Sequence, residues 1–278
     1  MGIKRTIKVE AGRWPLLAGL REIAEYRDLL WVLAYRDYRV RYAQTYLGFA
    51  WALLQPLAML VVFILVFSKA AGIATGSIPY PLYAMAGMTA WSYFAFVLGQ
   101  SGNSIISAQG MIQKIYFPRL IIPLSKAIVG LVDFAISLLL ILAMMLWYGF
   151  PFSANLWAFP FFLLVTLISS LGMGIWMSAL TIRYRDLQHV IPFMVQFGLF
   201  LTPAAYPAEM VVSRLPEWGV VLYYLNPMAG AVEGFRWSLL GGAPPASYAW
   251  ISYLTMGFVF VAGLYWFRRM ERTMADIV

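Results

Sequence analysis

The amino-acid sequence predicts an all-α integral membrane protein with six transmembrane helices. Of its 278 residues, 62% are hydrophobic and only 12% are charged, whereas a soluble domain carries about 25% charged residues. A protein with so few charged residues cannot cover its outer surface with groups that interact well with water. Most of the outer surface is therefore predicted to face lipid. Six apolar stretches also approach the ~20 residues that a helix needs to cross the hydrocarbon layer.

The predicted spans cover residues 47–67, 82–103, 122–147, 156–180, 190–206 and 250–267. The fifth is the shortest, and it ends near Pro203 and Pro207. Residues 1–45 are predicted to form a cytoplasmic N-terminal segment, and residues 46–278 the membrane domain. Because no short apolar stretch with a small-residue cleavage site lies at the N-terminus, we predict no cleavable signal peptide.

Basic residues are concentrated on one side of the predicted spans. That side holds Lys4, Arg5, Lys8, Arg13, Arg21, Arg27, Arg36, Arg39, Arg41, Lys114, Arg119, Lys126, Arg183, Arg185, Arg268, Arg269 and Arg272. The other side holds Lys69, Arg214 and Arg236. Because cytoplasmic loops carry the excess of Lys and Arg, both termini are predicted to be cytoplasmic. The same rule accounts for the net charge of +8 without a nucleic-acid partner.

Residues 27–45 are predicted to be more than a loop. They mix charges with apolar residues, and Tyr26, Leu29, Leu30 and Leu33 recur at helical spacing. This pattern is typical of an amphipathic helix that lies in the cytoplasmic headgroup layer. A generic anchor to the membrane surface is the alternative interpretation.

Residues 207–245, between the fifth and sixth spans, form a second structured connection. We predict a short helix in which Asn226 is the N-cap and Pro227 the first residue, ending at Gly241. It is too short to cross, so we expect it to enter from the outer side and return. Because main-chain polar groups at membrane depth need cover by protein or water, this predicts a lumen or an exit gate. Glu233 and Arg236 are three residues apart and are predicted either to pair or to act in opening that gate.

The sequence shows no set of catalytic residues. There is no cysteine, His189 is the only histidine, and no phosphate-binding loop of the G-x-x-x-x-G-K-[ST] type occurs. We therefore predict no catalytic residue, no metal site and no ATP site in this chain. Asp133 falls inside a predicted span, where it is either a functional group or a neutral carboxyl against a neighbouring helix.

Aromatic residues make up 17% of the chain. Those predicted to lie deep in the membrane are Trp91, Tyr93, Phe94, Phe193, Phe197 and Phe200. Core packing is one interpretation. The other is a pore that conducts sugars, since the apolar faces of sugar rings stack on aromatic rings without strict sequence requirements.

Five ordered motifs resemble the permease subunits of ABC-type polysaccharide exporters, which move O-antigen, capsule or teichoic-acid polymers. The motifs are RD at 36–37, RVRYAQTYLG at 39–48 with AWALLQP at 50–56, KIYFPR at 114–119, RYRD at 183–186 and NPM at 226–228. The resemblance implies a multi-pass protein of a bacterial cytoplasmic (inner) membrane that works as a homodimer in contact with membrane lipid. It further implies two separate ATPase subunits that bind ATP and Mg, and a polyprenyl-pyrophosphate-linked glycan as substrate.

The resemblance also implies roles for particular residues. Arg36, Arg39, Arg41 and Tyr42 match the lateral gate that admits the lipid headgroup. Gln109, Gln113, Lys114 and Tyr116, with Arg183, Arg185 and Asp186, match contacts to the ATPase. Asn226, Pro227, Glu233 and Arg236 match the outer gate. The alternatives are an ABC exporter for another amphipathic or lipid substrate, and a polytopic acyl- or glycosyltransferase.

Overall fold

The protein is a bundle of helices, seen in a computed structural model that describes residues 22–42 and 48–271. In this part of the chain every regular element is helical, which confirms the predicted class. In chain order the first helices are α1 (Arg27–Tyr42), α2 (Trp51–Phe63, continued by the π-helix Ile64–Ala70), α3 (Tyr80–Gly102), α4 (Ser104–Ser107), α5 (Gln109–Ile112) and α6 (Ile121–Trp147). The remaining helices are α7 (Phe159–Arg183), α8 (Leu187–Leu201), α9 (Glu209–Val212), α10 (Glu217–Tyr224), α11 (Pro227–Leu240) and α12 (Ala249–Glu271).

Five of the described helices are long and apolar enough to cross a membrane: Trp51–Ala70, Tyr80–Gly102, Ile121–Trp147, Leu156–Arg183 and Ala249–Glu271. They coincide with the predicted spans one to four and six. The fifth predicted span corresponds to α8, which has only 15 residues and is therefore about 22 Å long. The helix ends five residues before residue 206, the predicted end of this span. The helix stops at Leu201 because Thr202 is extended, with φ −114° and ψ 140°, as the residue before a proline prefers.

Helix α3 forms the centre of the bundle. Its apolar stretch is 78% buried, against 17% for the stretch Trp51–Ala70. The small residues Ala84, Ala86 and Ala90 are wholly buried along it. Such residues let helices approach closely in a membrane, where packing rather than exclusion from water drives association. The rest of the bundle is arranged around α3.

The bundle has two ends, which differ in what they bring together. At the first end, the Thr181 hydroxyl at the close of α7 donates to the Gly102 carbonyl at the close of α3, over 2.7 Å. The Arg119 guanidinium there donates to the carbonyl of Glu271, the last residue of α12. We call this the terminal end, because α12, the last described helix of the chain, finishes here. At the opposite end, the distal end, α11 packs against the start of α3.

Helix α1 confirms the helix predicted within residues 27–45, of which residues 43–45 lie outside the described part. Leu33 and Ala34 are buried against the bundle, whereas Trp31, Val32 and Tyr35 are each 62% exposed. The helix thus has one face on the bundle and an apolar face with no cover among the described residues. Its position in a headgroup layer stays a prediction.

Candidate functional site

A break in the chain after α8 lies at the distal end. Residues 202–205 are buried although they belong to no helix. A buried carbonyl without a hydrogen-bond donor is unfavourable, and lipid supplies none. The structure therefore has to provide a donor for each carbonyl near the end of α8.

Side chains from α3, from α11 and from the N-cap of α11 supply these donors. The Arg236 guanidinium of α11 donates to the carbonyls of Pro203 (2.7 Å) and Ala204 (3.0 Å). The Tyr80 hydroxyl of α3 donates to Ala205 O at 3.0 Å, and Asn226 Nδ2 donates to Leu201 O at 3.3 Å. The break is thus closed by long-range contacts and not by a local turn alone.

Arg236 is the centre of this arrangement, and it is only 4% exposed. Besides the two carbonyls of the break, its Nε donates to Tyr83 O (3.2 Å) and its Nη1 to the Tyr83 hydroxyl (2.7 Å). The guanidinium carbon lies 3.6 Å from the centre of the Tyr83 ring, a cation–π contact. The C-terminal end of α8 also carries partial negative charge, which favours a cation there.

The predicted pair between Glu233 and Arg236 is wrong. Glu233 accepts hydrogen bonds from the Tyr224 hydroxyl (2.6 Å) and from Ala246 N (3.0 Å). Arg236 instead faces α3 and the broken segment, where it donates to main-chain carbonyls that are not bonded within a helix. The two side chains therefore join α11 to different neighbours.

Gly87 on α3 is the residue that lets Arg236 and the break come this close. A Cβ at this position would lie 2.1 Å from Ala204 O and 2.3 Å from Arg236 Nη2. Both distances are far below van der Waals contact, so even alanine requires the backbone to move. No sequence pattern singled this glycine out.

The predicted caps of α11 are confirmed. Asn226 Oδ1 accepts a hydrogen bond from Met228 N at 3.0 Å, and Pro227 is the first helical residue. The helix ends at Gly241, whose φ of 77° is in the left-handed region that favours glycine. These signals are local, which is why the sequence alone revealed them.

Five charged residues form a second group, on α1 and the first half of α6. We call Arg36, Asp37, Arg41, Lys126 and Asp133 the charge cluster. Lys126 Nζ lies 2.7 Å from Asp37 Oδ2, and Arg41 Nη2 lies 2.7 Å from Asp133 Oδ2. The guanidinium of Arg41 also sits 4.4 Å from the centre of the Phe96 ring on α3. Two cross-helix ion pairs therefore join α1 to α6.

Of the four residues predicted for the lateral gate, two contact Asp133 and two do not. Arg41 and Tyr42 both contact Asp133, the tyrosine by donating a hydrogen bond. Burial, and then the hydrogen bond to Asp133, raises the pKa of the Tyr42 phenol, which keeps its proton available for that bond. Arg36 pairs with Asp37 at 2.8 Å, and Arg39 is exposed with its guanidinium 5.9 Å from the Tyr35 ring.

Sequence reasoning missed Asp37 and Lys126, and it left the role of Asp133 open. Asp133 has a cationic partner in Arg41, so the interpretation as an isolated neutral carboxyl against a helix does not describe it. The available signal was charge spacing. Asp37 and Arg41 are one helical turn apart, and Lys126 and Asp133 are two turns apart with the signs reversed.

The predicted pore aromatics separate into two sets. Trp91, Tyr93 and Phe94 are at most 5% exposed, and they belong to the core around α3. Phe193, Phe197 and Phe200 are 57%, 52% and 58% exposed on one face of α8. Of these six residues, the three on α8 are the ones exposed to another molecule.

The predicted ATPase contacts lie at the terminal end. Gln113, Lys114 and Tyr116 are exposed, Gln109 is half-buried, and the turn 183–186, with Arg183, Arg185 and Asp186, is exposed as well. Ile115 and Tyr116 are 51% and 63% exposed beside these charged residues. We call residues 113–116 and 183–186 the terminal surface.

Helices long and apolar enough to cross a membrane, packed around the buried helix α3, are the architecture of a polytopic membrane protein. The chain belongs to the ABC-2 type transporter family, whose sequence model matches residues 28–240. It is similar to an O-antigen export system permease protein of Klebsiella pneumoniae, with 28% identity over 90% of this chain and 95% of the relative. A protein of the same name from Myxococcus xanthus is 28% identical over 78% of this chain and 82% of the relative. The polysialic acid transport protein KpsM of Escherichia coli is 22% identical over 86% and 92%.

Proposed function

We propose that this chain is the permease subunit of an ATP-driven exporter that moves lipid-linked polysaccharide across the cytoplasmic membrane of a bacterium. One observation carries the proposal. Relatives named for O-antigen export and for polysialic acid transport align with most of this chain and of their own length. The names of these relatives specify O-antigen and polysialic acid, and the proposed cargo is a lipid-linked polymer of the O-antigen, capsule or teichoic-acid type.

ATP hydrolysis belongs to partner subunits. The chain has no phosphate-binding loop, so ATP and Mg bind to two separate ATPase subunits and no cofactor binds here. The terminal surface is where these subunits dock, because it joins exposed apolar side chains to exposed charges. Movement of this surface is passed to the ends of α3 and α7, which are hydrogen-bonded to each other beside it.

The proposed topology has six crossings with both termini in the cytoplasm. Residues 1–45 form the cytoplasmic segment and residues 46–278 the membrane domain. Helix α8 is too short to cross alone, and the segment after it completes the fifth crossing. Residues 207–245 then enter from the outer face and return, and Asn226, Pro227, Glu233 and Arg236 belong to the outer gate.

The pore lies between two copies of the chain. A single bundle has its centre filled by α3, and a closed two-fold assembly is the commonest way to build a shared path. Phe193, Phe197 and Phe200 are exposed at helical spacing on α8. Facing the two-fold axis, they stack weakly and repeatedly on passing sugar rings.

The transport cycle follows from these parts. The polyprenyl-pyrophosphate headgroup enters from the cytoplasmic leaflet between α1 and the first span, near Arg36, Arg39 and Arg41. Arginine suits phosphate because it forms forked, charge-assisted hydrogen bonds. Closure of the ATPase subunits around ATP opens the aromatic path, and the polymer passes outward.

Co-purification with a candidate ATPase subunit, followed by an ATPase assay with and without lipid-linked glycan, tests this function. We expect a stable complex whose ATPase activity rises with the glycan. Lys114→Ala with Tyr116→Ala should lower complex formation, whereas Lys69→Ala, an exposed lysine at the distal end, should not. Equal stimulation by lipids that carry no glycan would favour an exporter of another amphipathic substrate. Turnover of an acyl or glycosyl donor without ATP would instead favour the transferase.

A further inference from the structure

The charge cluster has an unusual pattern of partners. Helix α1 offers Asp37 and then Arg41, and α6 offers Lys126 and then Asp133, so the signs are complementary along both helices. Each cation is held by a carboxylate side chain and not by main-chain carbonyls. A carboxylate is an anion in the same chemical class as a phosphate oxygen, and both bind arginine and lysine by charge-assisted hydrogen bonds.

Each carboxylate has a second partner that it would keep if its cross-helix cation were taken away. Asp37 also accepts from Arg36 at 2.8 Å, and Asp133 also accepts from the Tyr42 hydroxyl. Removing Lys126 from Asp37, or Arg41 from Asp133, therefore leaves neither carboxylate without a hydrogen bond. After the exchange Asp37 still has a cation in Arg36, and Asp133, whose side chain is 25% exposed, keeps the hydrogen bond from Tyr42. The cost of an unpaired buried charge, which would oppose the exchange, is therefore reduced.

The cluster is also reachable. The side chains of Arg36 and Arg41 are 55% and 34% exposed, and Asp133 is 25% exposed. Lys126 is more covered, at 17%. The cationic side chains thus form a row, from the exposed Arg36 on α1 to the largely buried Lys126 on α6.

The charge of the group matches a diphosphate. Arg36, Arg41 and Lys126 balance Asp37 and Asp133 with one positive charge to spare, and the adjacent Arg39 adds a second. A diphosphate esterified at both ends keeps one ionised oxygen on each phosphorus and carries two negative charges. The net charge of the ligand and that of the site therefore cancel.

We propose that the charge cluster binds the diphosphate of a lipid substrate by anion exchange, in which the two phosphates replace Asp133 on Arg41 and Asp37 on Lys126. The carboxylates are resident anions that hold the site until a ligand arrives. No bond is made or broken in this step. The inference deepens the proposed function, on which it rests for the identity of the lipid, and it adds Asp37, Lys126 and Asp133 to the site.

The exchange has a structural consequence. The two ion pairs are contacts between α1 and α6, and the diphosphate would replace both with bonds to itself. The bound diphosphate would then bridge Arg41 on α1 and Lys126 on α6, so the two helices stay joined through the ligand while both carboxylates are released. Substrate binding thus exchanges two direct ion pairs for one link through the ligand.

The test uses the full transporter with its ATPase in lipid nanodiscs and measures the affinity for a polyprenyl diphosphate that carries a single sugar, which is a diphosphate esterified at both ends. Asp133→Asn removes the competing charge and keeps an acceptor for Tyr42, so it should tighten binding about threefold, the scale of a partly exposed ion pair. Arg41→Gln should weaken binding about tenfold. Asp28→Asn, a 95% exposed carboxylate on the same helix, is the matched control and should change nothing.

Unchanged or weaker binding by a folded Asp133→Asn protein would overturn the proposal. If that variant does not fold, Asp37→Asn gives the same readout at Lys126, and it too must tighten binding. A lipid monophosphate should bind more weakly and respond less to Asp133→Asn, and free pyrophosphate should compete with the lipid. Equal affinity for monophosphate and diphosphate would contradict two-phosphate recognition.

The same experiment separates this inference from the proposed function. Tighter lipid binding by Asp133→Asn in a protein that exports no glycan would leave the site intact and remove the function. Export of glycan by the wild-type protein, together with an unaltered lipid affinity in Asp133→Asn, would support the proposed function and overturn the exchange site.

Discussion

Two arginines in this chain are held in opposite ways. Arg236, at the distal end, is 4% exposed and is bound by the carbonyls of Pro203 and Ala204 and by Tyr83. None of these acceptors carries a formal charge. Arg41, near the terminal end, has a side chain that is 34% exposed and is bound by the Asp133 carboxylate.

The comparison shows which cation a ligand can take. The carbonyls around Arg236 are part of the main chain, so they cannot move away, and losing Arg236 would leave them without donors. The carboxylate at Arg41 is a side chain with a second partner of its own. An arginine held by main-chain dipoles stabilises a fold, whereas an arginine held by a movable carboxylate is suited to exchange.

Replacing Arg236 should give the largest effect. Arg236→Met keeps most of the volume and removes every donor to four acceptors. Because each buried acceptor without a partner costs about 1–3 kcal/mol, we expect a loss on the order of 5 kcal/mol. Size-exclusion chromatography and thermal unfolding in detergent should show little folded protein. Arg214→Met, an exposed arginine of the same 207–245 segment, should behave as wild type, and a stable Arg236→Met protein would contradict the structural role.

The buried and the exposed aromatic residues allow the same comparison between a structural role and a functional one. Trp91→Ala removes a buried side chain and should cost roughly 3–5 kcal/mol of stability. Phe197→Ala removes one that is 52% exposed, so thermal stability should hardly change while the export rate falls. Thermal unfolding and glycan export measured on both variants test this. Wild-type export by a stable Phe197→Ala protein would remove α8 from the pore.

Gly87 tests the same distal contact from the side of α3. Gly87→Ala places a methyl group 2.1 Å from Ala204 O, and such overpacking typically costs about 1–3 kcal/mol. Gly99→Ala is the control on the same helix, since a Cβ there meets nothing within 4 Å. Equal melting temperatures for the two variants would show that the break does not press on α3 as described.

Local features of the fold were readable from the sequence, and distant ones were not. The caps at Asn226 and Gly241 were predicted because capping depends on residues next to each other. The end of α8 was placed five residues late, because the weight given to apolar residues after Leu201 hid the effect of Pro203 on Thr202. The partners of Arg236 gave no signal, since main-chain carbonyls 32 and 33 residues away look the same in every sequence.

Charged side chains, unlike main-chain carbonyls, can be recognised in the sequence, but their partners cannot. The family resemblance placed Arg41 at the lateral gate, and its position inside a predicted span singled out Asp133. Neither observation joined the two residues, because their separation of more than 90 residues leaves the pairing to the fold. The sequence also favoured Glu233 as the partner of Arg236 from spacing alone. Spacing on one helix predicts which side chains can meet, while the surrounding helices decide which do.

The smallest expected effect concerns Glu22, which lies just before α1. Burial, followed by the neighbouring Glu271 carboxylate, raises its pKa above the ordinary value of 4.5. The ionised form is therefore disfavoured in the folded protein. This penalty is complete at a pH above the raised pKa, shrinks as the pH falls through it, and is gone below the ordinary pKa. Glu22→Gln should raise the melting temperature slightly at pH 7.5, and the gain should vanish towards pH 4.5. A gain that stays the same at both pH values would contradict this account.

The central claim is that this chain forms the path for an exported lipid-linked glycan. The most direct measurement reconstitutes it with its ATPase in liposomes loaded on the ATPase-facing side with lipid-linked glycan. Glycan reaching the opposite side is then detected with a glycan-specific lectin. The account predicts ATP-dependent transfer that requires both subunits and is lost when the ATPase is inactivated. ATP hydrolysis by a well-formed complex with no glycan crossing would contradict it.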